Sequence, residues 1–127
     1  MARRILLVDD SATVRSLVKV FLMGHHFEYV EASGGEHAVE ILRNLVPDLV
    51  IADINMPGID GLSFVKRLRA DVRPQVRALP IILLTADKSQ DVHERALEAG
   101  ASEFVRKPVS SGDLQQAIER LFPGTPK

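Results

Sequence analysis

Three runs of four consecutive apolar residues most constrain what this chain can fold into. They lie at residues 5–8, 49–52 and 81–84, and each is long enough for a strand but too short for a helix. Strands that are apolar at every position are buried on both faces, which is typical of parallel sheets covered by helices. Two weaker candidates, residues 29–32 and 103–105, bring the predicted strands to five.

Helical periodicity fills the segments between these strands. Apolar residues recur at intervals of three and four over residues 14–22, 38–45, 62–68 and 114–122. The remaining connection, residues 89–99, offers only a thin stripe of small and β-branched residues before a glycine that is typical of helix ends. We therefore predict five helices, of which the fourth is the most thinly packed.

Five strands alternating with five helices predict right-handed βαβ units and hence an α/β fold with a doubly wound, five-stranded parallel sheet. Ligands of such folds bind beyond the carboxyl ends of the strands. We predict one domain over residues 1–122. Residues 123–127, rich in proline and glycine, would be a tail or the start of a linker.

Charge and composition exclude several classes of function. With 16 basic and 17 acidic residues, the net charge is −1, so no overall field attracts nucleic acid or an anionic membrane. The absence of cysteine excludes disulfides and thiolate metal sites. The first apolar run ends at two aspartates, and no run approaches the ~20 residues needed to cross a bilayer. We expect a cytoplasmic protein without direct nucleic-acid contact or membrane insertion.

Carboxylates follow two of the buried strands. Asp9 and Asp10 end the first strand and Asp53 ends the third, so a parallel sheet would gather all three at one edge. Like charges in a cleft raise one another's pKa and destabilise the fold unless a cation neutralises them. Mg²⁺ is the natural candidate, because carboxylates, waters and phosphate oxygens hold it without His or Cys. Alternatively, the three aspartates would only cap helices or turns.

A hydroxyl and an ammonium group are predicted at the same edge. Thr85 closes the fourth strand and Lys107 follows the fifth. An ammonium can contact phosphate oxygens and a hydroxyl can donate a hydrogen bond to them, so the combination predicts a phosphoryl site. Taken singly, each residue is better explained as an ordinary strand threonine or a surface lysine. The bond from Lys107 to Pro108 is a candidate for a cis peptide.

The whole set of motifs resembles the signature of response regulator receiver domains, over nearly the entire chain. The resemblance rests on Asp9-Asp10-Ser11, Asp53 with the following Met56-Pro57-Gly58 and Asp60-Gly61, Thr85-Ala86 and Lys107-Pro108. It implies the flavodoxin-like receiver fold and a switch in a two-component system. Asp53 would accept a phosphoryl group from a histidine kinase or phosphotransfer protein. Asp10, Asp53 and the Asn55 carbonyl would bind Mg²⁺, with Asp9 assisting through water.

The resemblance also implies how the phosphoryl group would be read. Thr85, Ala86 and Lys107 would contact it, and Phe104 would swing inward when the threonine hydroxyl engages phosphate. A plain core role for Phe104 is nearly as good an interpretation. A downstream protein would bind the face formed by residues 88–122, and the domain would be a monomer or a phosphorylation-dependent dimer.

Two further residues occupy positions that the resemblance links to self-dephosphorylation. Asn55 and Asp87 carry an amide and a carboxylate that could orient an attacking water, which predicts a short-lived phosphorylated state. We do not predict an enzyme, although the domain would promote its own Mg²⁺-dependent phosphorylation and dephosphorylation at Asp53.

Three alternative functions differ from the receiver domain in features of the sequence. A haloacid-dehalogenase-like phosphatase would carry a second aspartate two residues after its nucleophile, where this chain has Asn55. A Rossmann-type nucleotide binder would carry a glycine-rich turn after the first strand, where this chain has Asp-Asp-Ser-Ala-Thr. The third is the receiver portion of a larger regulator with a DNA-binding or enzymatic output domain after residue 127, which the longer gene sequence would reveal.

Overall fold

The computed structural model describes residues 2–87 and 89–124, and within them it forms one sheet with helices on both faces. The strands are β1 Arg4–Val8, β2 Glu28–Ala32, β3 Leu49–Asp53, β4 Ile81–Thr85 and β5 Glu103–Arg106. Each adjacent pair is parallel, in the order β2-β1-β3-β4-β5. The predicted doubly wound, five-stranded parallel sheet is confirmed.

The described residues form five long helices and one single-turn helix. These are α1 Ala12–Phe21, α2 Gly35–Leu42, α3 Gly61–Arg69, α4 Pro74–Arg77, α5 Gln90–Ala99 and α6 Ser111–Leu121. The addition to the five predicted helices is α4, which begins at a proline and buries only Val76. A single buried residue leaves no helical repeat to detect in the sequence. A 3₁₀ turn, Met23–His25, also follows α1.

The two faces of the sheet have separate hydrophobic cores. Successive strand residues point to opposite faces, so the unbroken apolar runs supply both cores. Leu6, Val50 and Leu83 pack with helices α2, α3 and α5, whereas Leu7, Ile51 and Leu84 pack with α1 and α6. These six side chains are each at most 2% exposed. We call the two cores the α2-α3-α5 core and the α1-α6 core.

Side-chain caps start several helices just after the strands end. Ser11 Oγ accepts from the Val14 amide of α1 at 3.2 Å, and Asp60 Oδ1 accepts from the Ser63 amide of α3 at 2.9 Å. An N-cap bond of this kind is worth about 1 kcal/mol. The caps fix where each helix leaves the carboxyl edge of the sheet, and so they shape the loops that surround that edge.

The predicted fourth helix is α5, which begins one residue later than expected because Ser89 is its N-cap. It ends at Ala99 with Gly100 as its C-cap, as predicted. Residues 125–127 of the predicted tail and Lys88 lie outside the described residues. The division at residue 122 stays a prediction. None of the helices in the described ranges combines the length and apolarity that a membrane span requires.

Candidate metal and phosphoryl site

The carboxyl edge of the sheet gathers three carboxylates from two neighbouring strands. Val8 lies opposite Ala52 in the parallel ladder, so Asp9 and Asp53 follow at the same level. One carboxylate oxygen from each of Asp9, Asp10 and Asp53 lies within 4.8 Å of the others. Asp9 and Asp53 are 3% and 5% exposed, whereas Asp10 is exposed. The structure thus brings together the acidic residues that the sequence singled out.

Burial of the Asp9 carboxylate carries an electrostatic cost. Its Oδ1 accepts from the Ser11 amide at 2.8 Å, but its buried Oδ2 accepts no hydrogen bond from the described residues. Burial raises the pKa of Asp9 above its usual value of 3.8; the Ser11 amide opposes the rise, and the charges of Asp53 and Asp10 add to it. A buried acceptor beside two further carboxylates suits a hard divalent cation. The residues therefore fit Mg²⁺.

Lys107 places an ammonium group against the same carboxylates. Its amide donates to the Thr85 carbonyl at 2.6 Å, which fixes the chain beyond β5 against the end of β4. Its Nζ donates to Asp53 Oδ2 at 2.9 Å and lies 3.7 Å from Asp9 Oδ2. The peptide bond from Lys107 to Pro108 is cis. The ammonium offsets part of the acidic charge and lies within reach of a group bound to Asp53.

Thr85 presents its hydroxyl at the end of β4, next to the acidic residues. The residue is 1% exposed, and its Oγ1 accepts from the Asp87 amide at 3.0 Å. That bond uses the hydroxyl as an acceptor, so its O–H can donate to another group. Asp87 in turn accepts from the Ser89 amide at 2.8 Å, and the Ser89 hydrogen bonds lower the pKa of Asp87. Ala86, which lies between Thr85 and Asp87 in the sequence, is exposed.

Asn55 and Asp87 lie on the walls of one cleft, which runs between α3 and α5 and has a volume of about 610 Å³. The Asn55 amide donates to Asp53 Oδ1 at 3.1 Å. Thr85 also lines this cleft. The two predicted tuning residues therefore border the same space beside Asp53.

Arg15 supports the acidic residues from helix α1, and sequence reasoning missed it. Its Nη1 donates to the Asp9 carbonyl oxygen, and its Nε donates to Glu31 Oε1 at 2.9 Å. Lys19 donates to the other oxygen of Glu31 at 3.0 Å, and hydrogen bonds from Lys19 and Arg15 lower the pKa of Glu31. The available signal was a basic residue in the helix that directly follows two aspartates.

The sequence model of the response regulator receiver domain matches residues 5–119. This chain belongs to the receiver domain family. It is 38% identical to the phosphate regulon transcriptional regulatory protein PhoB of Klebsiella pneumoniae, over 96% of this chain and 52% of PhoB. It is 39% identical to the chemotaxis protein CheY of Bacillus subtilis, over 96% of this chain and 99% of CheY. The receiver domain thus spans about half the length of the PhoB relative.

A solved receiver domain, from a sensor histidine kinase of Pseudomonas aeruginosa, shares the fold with a TM-score of 0.82 and 28% identity. The alignment covers 94% of this chain and 97% of that one. That structure holds a magnesium ion in its active-site cleft. In the present receiver domain, the cluster of Asp9, Asp10 and Asp53 could hold a metal ion.

Phe104 lies on β5 of the receiver domain, half-buried at the margin of the α2-α3-α5 core. Its ring centroid is 4.1 Å from that of His93 on α5, and the rings are tilted by 41°. The guanidinium of Arg106 lies 5.5 Å from the Phe104 ring centroid. The ring therefore contacts both α5 and its own strand, and its predicted inward rotation stays a prediction.

Proposed function

We propose that this receiver domain is a signalling switch that accepts a phosphoryl group on Asp53 with the help of Mg²⁺. The environment of Asp53 carries the proposal. Its carboxylate is buried at a strand end, with Oδ1 on the Asn55 amide at 3.1 Å and Oδ2 on the Lys107 ammonium at 2.9 Å. Two further carboxylates lie beside it. Membership of the receiver family supports the same assignment.

In the proposed reaction, a carboxylate oxygen of Asp53 attacks the phosphorus of a phosphohistidine on a kinase or phosphotransfer protein, or of a small acyl phosphate. The donor's bond to phosphorus breaks, and its electron pair leaves with the donor group. Lys107 would contact an oxygen of the transferred group. Mg²⁺, when held by Asp9, Asp10, Asp53 and the Asn55 carbonyl, would neutralise charge on the phosphoryl oxygens. The chain's own residues supply position and charge rather than a general base.

Phosphorylation would shift an equilibrium between two arrangements of the domain. The O–H of Thr85 can donate to a phosphoryl oxygen only when one is present, so the modified state would favour the arrangement that allows this bond. Phe104 would follow toward the space that the threonine leaves. The face formed by α5, β5 and α6 would present the change to a downstream protein or a second copy, in the cytoplasm.

Incubation with acetyl phosphate tests the proposal directly. We expect a mass gain of one phosphoryl group with Mg²⁺ and none with EDTA, measured on the intact protein.

Mg²⁺ alone should also raise the melting temperature by several degrees, because a ligand at 100 times its dissociation constant stabilises the folded state by about 2.7 kcal/mol. Equal melting temperatures in Mg²⁺ and EDTA would contradict the metal assignment.

The cleft residues give a prediction about the lifetime of the phosphorylated state. Replacing Asn55 or Asp87 with alanine should slow the loss of phosphate by about twofold to tenfold, equivalent to one lost hydrogen bond to water of about 0.5–1.5 kcal/mol. Decay is followed on phosphate-affinity gels after the donor is removed. Lys66→Ala, in the same cleft on α3, is the control. Lifetimes equal to the control would rule out the proposed role.

The raised pKa of Asp9 gives a prediction about stability against pH. Because the folded state binds this proton more tightly than the unfolded state, stability without metal should fall as pH rises from 3.8 through the raised pKa. Asp9→Asn should weaken that dependence and be more stable than the parent at pH 7 in EDTA. Denaturant unfolding at several pH values measures both. Asp10→Asn, which changes the exposed carboxylate, should raise the free energy of unfolding by less than Asp9→Asn does. An equal increase would contradict the role of burial.

A second candidate is the receiver part of a larger regulator. The chain covers 52% of PhoB, and PhoB is a transcriptional regulator by name. An output domain would then read the phosphorylation state within the same protein. The coding sequence beyond residue 127 tests this: an open frame encoding a second domain supports it, and a stop codon contradicts it.

A further inference from the structure

A carboxylate from helix α2 holds the loop between β3 and α3, and the proposed chemistry does not use it. Glu36, in the first turn of α2, accepts from the Ile59 amide through Oε1 at 2.9 Å. The adjacent Gly35 lies against the same residue, since a Cβ there would be 2.9 Å from the Ile59 Cβ. Helix α2 therefore meets residue 59 of the loop at two consecutive positions.

Gly58 shows how closely the Glu36 carboxylate lies against the loop. A Cβ at residue 58 would be 2.7 Å from Glu36 Oε2 and 2.8 Å from its Cδ, distances that real Cβ atoms essentially never show. Gly58 also has a φ of +78°, which side chains other than glycine rarely adopt. The carboxylate thus occupies space that a glycine leaves open.

The same loop is tied to the candidate site at its other end. The Asn55 amide donates to Asp53 Oδ1 at 3.1 Å, and the Gly61 amide donates to the Ile54 carbonyl at 2.8 Å. Met56 is buried in the α2-α3-α5 core. Only four peptide bonds separate Asn55 from Ile59, so a contact that fixes Ile59 also limits where the Asn55 backbone can lie.

We propose that Glu36 is a positioning residue that fixes the loop and so keeps the Asn55 backbone directed at the cation site. The inference rests on the proposed function, in which the Asn55 carbonyl helps to hold Mg²⁺. A carboxylate that accepts from a backbone amide forms a charge-assisted bond, which is stronger than a neutral one. Outer contacts that orient metal ligands change metal affinity without touching the metal.

The test compares Glu36→Ala, Glu36→Gln and Glu40→Ala in the full chain. Glu40 is exposed one turn further along α2, and its side chain makes no hydrogen bond or ion pair with the residues that the structure covers, so it is the matched control. We expect Glu36→Ala to weaken Mg²⁺ binding by about tenfold in calorimetry and to speed hydrogen exchange of the Ile59 amide. Glu36→Gln keeps an acceptor but forms a neutral, weaker bond, so its Mg²⁺ affinity should lie between those of the parent and Glu36→Ala.

Gly58→Ala provides a second, independent variant. Its Cβ would displace the Glu36 carboxylate, so it should weaken Mg²⁺ binding as well. The double variant Glu36→Ala/Gly58→Ala should bind no more weakly than Gly58→Ala alone, because both changes remove one contact. Additive losses would overturn the proposal.

The outcomes separate this inference from the proposed function. Equal Mg²⁺ affinities of Glu36→Ala and Glu40→Ala, in a parent that binds Mg²⁺ and is phosphorylated, would overturn the role of Glu36 alone. A parent that binds Mg²⁺ without ever being phosphorylated would overturn the proposed function, while the affinity comparison would still decide the role of Glu36.

Discussion

Asp53→Asn is expected to abolish phosphorylation of the domain by acetyl phosphate in the presence of Mg²⁺. The amide keeps the shape of the side chain but has one acceptor oxygen, so it can accept from the Asn55 amide or the Lys107 ammonium and not from both, as the two carboxylate oxygens of the parent do. It lacks the anionic oxygen that would attack phosphorus. Intact-protein mass spectrometry should show one added phosphoryl group on the parent and none on the variant.

Asp60→Asn is the matched control for this experiment. Asp60 caps α3 through Oδ1, which accepts from the Ser63 amide at 2.9 Å, and asparagine caps helices equally well. The control should be phosphorylated like the parent. A full phosphoryl gain on Asp53→Asn would show that another residue accepts the group and would refute the assignment of Asp53.

Gly61→Ala is expected to destabilise the domain by about 3 kcal/mol, near the upper end for overpacking. A Cβ at residue 61 would lie 2.5 Å from the Ile54 Cα and 2.7 Å from the Asp53 carbonyl oxygen. These are backbone atoms at the end of the central strand β3, so no side chain can turn aside to make room. Urea unfolding of the two proteins measures the loss of free energy.

Gly112→Ala controls for replacing a glycine as such. A Cβ at residue 112 would meet no atom within 4 Å, and the residue lies within helix α6. Alanine there should stabilise the domain by about 0.5–1 kcal/mol, because glycine loses more conformational freedom in a helix. Equal and small effects at both positions would contradict the close approach of α3 to β3.

The sheet could be predicted from sequence because its signal is local. Each central strand is buried on both faces, so its apolar residues are continuous, and the pattern needs no knowledge of distant contacts. The meeting of Asp9 with Asp53 was equally predictable. Parallel strands end at one edge, so residues that directly follow the strands must lie there.

The contacts that support the site could not be predicted in the same way. Arg15 bonds to the carbonyl of Asp9, and Glu36 bonds to the amide of Ile59. Every residue except proline offers a backbone amide, and every residue offers a carbonyl, so the partner of such a side chain leaves no mark in the sequence. Helix α4 was missed for a related reason, since Val76 is its only buried residue.

The division of the hydrophobic interior into two halves limits what a binding partner can sense. Helix α5 belongs to one half and helices α1 and α6 to the other, so a displacement of α5 can leave α1 and α6 undisturbed. A protein that binds only α1 would have the same affinity before and after such a displacement. A protein that contacts both α5 and α6 would meet a different surface once α5 has moved relative to α6, and so could distinguish the phosphorylated from the unphosphorylated domain.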